Sequence, residues 1–150
     1  MSAKEAGTEE PITILLVEPN PGDTRLFTES LHEAKLANRL YTVTNGEDAL
    51  DFLYQRGEYE SNSCPDLILL EPQLPGKSGM EILSELNDEP ALAEIPVVVL
   101  TGSDAEEDIV RSQDVDADHY IQKPVAPDDF FQFVRSIEDF WFAIVQEPTS

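Results

Sequence analysis

Basic residues are scarce in this 150-residue chain: nine lysines and arginines stand against 31 aspartates and glutamates, for a formal net charge of −22. A surface this negative repels phosphate backbones and anionic headgroups, which argues against a nucleic-acid-binding or membrane-adhering protein. Cysteine is nearly absent. Cys64 stands alone, so no intrachain disulfide can form, and with only His32 and His119 available the chain has no zinc-type ligand spacing. No apolar run approaches the ~20 residues of a membrane span, and the opening MSAKEAGTEE lacks the apolar stretch of a secretory signal. The expected location is the cytoplasm. Two glycine-rich signatures are missing as well: no dinucleotide fingerprint follows the first apolar run, and no GxxxxGK[ST] loop occurs.

What remains is a chain built to fold. Hydrophobic residues make up 41% and aromatics 8%, too much for a disordered polyanion, and the length suits one hydrophobic core. Charged residues total 27%, an ordinary share, so acids have replaced bases. A scattered acidic shell points to a halophile's protein, because molar salt shortens the Debye length to ~3 Å and relieves the self-repulsion. The melting temperature is expected to rise between dilute buffer and molar KCl, and an unchanged value would contradict the halophilic reading.

Residues 1–10 and 147–150 read as tails around one domain at 11–146. Within it, short apolar runs alternate with helical patterns. The runs are Ile12–Val17, Leu40–Thr44, Leu67–Leu70, Val97–Leu100 and a weaker one at His119–Gln122. Helical patterns fall near 22–37, 46–57, 79–88, 104–114 and 127–145. Five strand-then-helix repeats predict an α/β sandwich around a parallel sheet, with the chemistry at the carboxyl ends of the strands. The residues there are Glu18-Pro19-Asn20, Glu71-Pro72-Gln73, Thr101-Gly102-Ser103 and Lys123-Pro124. Two acids, a hydroxyl and an ammonium thus share one rim. Neither histidine falls where a Ser–His–Asp or Cys–His arrangement could form.

The blocks ILLVEPNPGD, DLILLEPQLPGKSG, IPVVVLTGSDAEEDI and ADHYIQKPV resemble those of the receiver domain of two-component response regulators, over about Ile12 to Val145. VEPNPGD and the late SIEDFWFAIV are similar to the stand-alone, phytochrome-partner type. The resemblance implies a flavodoxin-like three-layer sandwich with strand order 2-1-3-4-5 and five helices. It also implies a phosphoryl-accepting aspartate after the third strand, acids after the first that hold Mg²⁺, a fourth-strand hydroxyl and a fifth-strand lysine. Glu18, Thr101 and Lys123 match that pattern, and Tyr120 takes the place of the aromatic that switches in concert with Thr101. Two positions depart from it. Glu71 stands at the acceptor position, and Pro19 replaces the second metal-binding acid.

Pro19 offers no side-chain oxygen, which leaves Glu18, Glu71 and Gln73 as residual ligands, so Mg²⁺ binding is expected to be lost or weak and no cofactor is expected. Glu71 carries its carboxylate outward by about one C–C bond of ~1.5 Å, toward Thr101 and Lys123. Displacements of ~1 Å can cost ~100-fold in a positioned reaction, so aspartyl-type phosphorylation is disfavoured. A carboxylate, with one charge against about −1.5 to −2, is a partial mimic of a phosphoryl group. The expectation is therefore an atypical, non-enzymatic receiver that works without phosphorylation, through a histidine kinase or another signalling protein. The alternatives are a phosphorylation-competent regulator in a phosphorelay and, more remotely, a flavin electron carrier, which would need a Ser/Thr-rich phosphate loop after the first strand. Glu71–Lys123 also reads as a plain structural ion pair, and Asp23 as a first-turn helix acid suited to the helix dipole. On the last helix Phe130, Val134, Ile137, Trp141 and Ile144 form a core stripe, with Phe133 and Phe140 along one edge and Phe131 and Phe142 along the other. So wide an arc exceeds one core contact and suggests a homodimer surface, against a long helix wrapping its own domain.

Overall fold

Consecutive apolar residues at Leu67–Leu70 and Val97–Leu100 give those segments no face for water, and both become interior strands. The computed structural model describes residues 12–33, 38–60, 64–112 and 117–123. In chain order these form β1 (Ile12–Val17), α1 (Pro21–Glu33), β2 (Asn38–Val43), α2 (Gly46–Leu53), a 3₁₀ turn (Gly57–Tyr59), β3 (Leu67–Leu70), α3 (Gly79–Asp88), β4 (Val97–Thr101), α4 (Asp104–Arg111) and β5 (His119–Gln122). All strand pairs are parallel, in the order β2-β1-β3-β4-β5. This is the flavodoxin-like order expected.

Alternate strand residues divide the core between the two faces. Ile14, Leu16, Leu67, Leu69, Val98 and Leu100 pack with Phe27 and Leu31 of α1. On the other face Leu15, Val17, Ile68, Leu70 and Val99 meet Phe52 of α2, Ile82 and Leu83 of α3 and Val110 of α4. The edge strand β5 buries only Ile121, which explains its weak apolar signal.

Several boundaries differ from the sequence reading. β2 starts two residues earlier and stops at Val43, because β1 pairs with it from Ile12↔Asn38 to Val17↔Val43. β4 runs one residue further, to Thr101. The second helix ends at Leu53 instead of 57, since Gln55 and Gly57 turn the chain with φ of 56° and 58°. α1 starts at Pro21, a residue that suits a first helical position, and α4 ends at Arg111. The expected helix at 127–145, Pro124 and the tails at 1–10 and 147–150 lie outside the described residues.

Local chemistry aims the helix starts at the rim. Asn20 Oδ1 accepts from the backbone N–H of Gly22 and Asp23 at 2.8 and 3.2 Å, capping α1. Ser78 and Glu81 form a reciprocal capping box on α3, and Ser103 caps α4. Gly79 lets α3 begin against the end of β3: a Cβ there would lie 2.5 Å from the Glu71 carbonyl oxygen.

Candidate functional site

Parallel strands that all end at one rim bring Glu18, Glu71, Thr101 and Lys123 together, although Glu18 and Lys123 lie 105 residues apart in the chain. Glu18 follows β1 and Glu71 follows β3, and both are buried. Lys123 follows β5, and its backbone N–H donates to the Thr101 carbonyl at 2.7 Å. The lysine ammonium has three N–H donors. It donates to Glu18 Oε1 at 2.8 Å and Asp23 Oδ2 at 3.0 Å, and forms an ion pair with Glu71 Oε2 at 2.6 Å.

Asp23 does sit in the first turn of α1, as expected, but its role does not stop at the helix dipole. The Asn20 cap folds that turn back over the end of β1 and carries Asp23 onto Lys123. The detectable signal was the spacing Glu18-x-Asn20-x-x-Asp23, an acid followed by a capped helix start that puts a second acid on the same rim.

Backbone donors take the far oxygens of two of these acids. Gln73 N–H donates to Glu71 Oε1 at 3.0 Å, and Asn20 N–H donates to Glu18 Oε2 at 3.1 Å. Burial raises the Glu71 pKa above the usual carboxylate value, and the bonds from Lys123 and Gln73 offset this only in part. Burial also acts to lower the Lys123 pKa, but its bonds to Glu18, Glu71 and Asp23 outweigh that, and the ammonium is held above its ordinary value.

At the end of β4 the bonding is sparser. Thr101 is fully buried, and its Oγ1 has no hydrogen-bond partner among the described residues. The next backbone N–H, of Gly102, donates to Glu106 Oε1 at 2.6 Å, and the Gln73 side-chain amide reaches Glu106 Oε2 at 3.4 Å. Tyr120 is half-buried and packs on the same core face as Val99, while the Arg111 guanidinium lies 4.1 Å from its ring centroid and pairs with Glu107 at 2.7 Å. Glu106 and Arg111 went unread in the sequence, where they look like ordinary polar helix positions.

The donor set does not fit the octahedral divalent cation that the resemblance implies. Pro19 supplies no side-chain oxygen, an ammonium occupies the point on which the three carboxylates converge, and among the described residues no group of three or more acidic, histidine or cysteine side chains is arranged to hold a metal ion. Phe131, Phe133, Phe140 and Phe142 lie outside the described residues. Among the described residues no helix is long and apolar enough to cross a membrane.

Residues 14–135 match the family model described as the response regulator receiver domain. The chain is 41% identical over 140 residues to the response regulator Rcp1 of Synechocystis sp., covering 93% of this chain and 95% of that protein. Among solved structures it is similar to the bacteriophytochrome response regulator RtBRR (34% identity, TM-score 0.82, 93% of this chain and 85% of that one). It is also similar to the phosphorylated cyanobacterial phytochrome response regulator RcpA (41% identity, TM-score 0.72, 93% of this chain and 100% of that one).

Proposed function

The chain belongs to the response regulator receiver domain family, and from that premise we propose that it is a signalling module whose pocket operates without phosphorylation. One observation carries the reading: Glu71, at the acceptor position, already holds the Lys123 ammonium at 2.6 Å and the Gln73 N–H at 3.0 Å. Those donors would otherwise be open to an incoming phosphoryl group. An acid engaged in this way is a poor nucleophile, and its permanent charge biases the rim toward one arrangement. The bias is partial because the Thr101 hydroxyl receives nothing from it.

In this reading the protein catalyses no reaction and passes its state to a histidine kinase or another signalling protein by contact. Its acidic surface disfavours nucleic acid and anionic membrane as partners, and the pocket has no need of Mg²⁺. A homodimer through the aromatic segment around Phe131, Phe133, Phe140 and Phe142 is part of the proposal. Sedimentation in molar KCl checks it, and a monomer at tens of micromolar would remove it.

Incubation with acetyl phosphate and Mg²⁺ tests the core claim. No hydroxylamine-sensitive phosphoryl group is expected on Glu71, and finding one would overturn the reading. The phosphorylated state of RcpA, 41% identical, favours the second reading of a phosphorylation-competent regulator in a phosphorelay. Metal-dependent labelling would select it.

A further inference from the structure

We propose that the Lys123 ammonium is the resident cation of this pocket, standing where a divalent metal would gather the acids and keeping one out of the native protein. The proposal rests on Glu71 being a fixed anion and extends that reading to the whole charge cluster. A metal ion joins strand ends by collecting carboxylates from different elements. Lys123 does the same from the end of β5, with N–H bonds to Glu18 at the end of β1 and to Asp23 of α1 and an ion pair to Glu71 at the end of β3.

The bonding leaves a metal little to bind. Each of the three carboxylates gives one oxygen to the ammonium, and the second oxygens of Glu18 and Glu71 accept the Asn20 and Gln73 backbone N–H groups. A divalent ion would have to displace the ammonium or share its site at close range, where two cations repel strongly in a partly desolvated pocket. Pro19 fits this arrangement: the three acids already exceed the charge of the single ammonium by two, and a further acid in its place would enlarge that excess. Asp23 supplies the third acceptor from the helix instead, which matches the ammonium's three donors. The cross-link is therefore always present and does not vary with the supply of metal.

The test is Mn²⁺ uptake followed by electron paramagnetic resonance in high KCl, on the whole protein and on K123A and K123Q. The native chain is expected to show no saturable site, and its melting temperature should not move with Mg²⁺. Removing a unit charge next to three carboxylates should let one Mn²⁺ bind at least roughly tenfold more tightly in the variants. Saturable uptake by the native chain, or a Mg²⁺-dependent rise in its melting temperature, would overturn the proposal. Uptake that is no better in either variant, whether folded or not, would overturn it equally. Phosphoryl transfer to Glu71 without metal would remove the reading of Glu71 as an inert acid and leave the Mn²⁺ measurement to decide the role of Lys123.

Discussion

The two sides of Glu71 differ in how well their polar groups are satisfied. Around the ammonium the groups are paired: it meets three carboxylates, and Asn20 and Gln73 meet the remaining oxygens of two of them. At the end of β4 the Thr101 hydroxyl is buried without a partner among the described residues, and Gly102 relies on Glu106 from the next helix. The Glu71 carboxylate reaches the lysine at 2.6 Å but does not bring an oxygen to the hydroxyl. The lysine side is therefore closed by ion pairs, and the threonine side has fewer bonds to break.

The largest effect should come from breaking the satisfied side. Replacing Lys123 by alanine leaves three acids without their common partner, two of them buried, and should cost about 3–5 kcal/mol, read by denaturant unfolding in molar KCl. A loss below about 1 kcal/mol would mean that the cluster is a loosely held surface pair.

Alkali attacks the same bonds more gently. The Lys123 pKa is raised in the folded chain above its ordinary 10.5, so between those two values the native state keeps a proton that the unfolded chain has lost. The stability from this group should be fully present below pH 10.5 and disappear as the pH rises through the folded value, in thermal melts from neutral to strongly alkaline pH. K123A should lose this component of the alkaline decline.

The sparse side should respond in the opposite sense. A buried hydroxyl without a partner costs about 1–3 kcal/mol, so Thr101→Val, which keeps the shape and drops the polar atom, should be neutral or stabilise by up to about 1 kcal/mol. A clear destabilisation would show that the hydroxyl is bonded in solution. The smallest effect belongs to Arg111→Ala, which removes an exposed cation over the Tyr120 ring worth about 0.5–1 kcal/mol. Its sharper readout is the Tyr120 ring resonances, which should broaden or shift when the cover is lost, while the Glu71 and Lys123 resonances stay in place.

Much of this architecture can be read without coordinates. Buried parallel strands need apolar residues at successive positions, so β1, β3 and β4 stand out, and the residues after them fall on one rim whatever the helices do. Element ends were less legible. The early stop of α2 depends on a left-handed Gln55 that no residue type signals, and the extra residues of β2 come from its pairing with β1. Glu106 was hidden because helix acids are common in so acidic a chain, and its contacts to the Gly102 N–H and the Gln73 amide arise only in the fold.

Residue order and type were enough to settle the family, the sheet order and the presence of two acids, a hydroxyl and a lysine at the same end, because strand direction in a parallel sheet places them there. Which of these groups touch depended on how α1 and α4 close over that end. Asp23 and Lys123 are 100 residues apart, and only the folded helix start brings them within 3.0 Å. Hydrogen bonds form over fractions of an ångström, and composition and spacing carry no information on that scale.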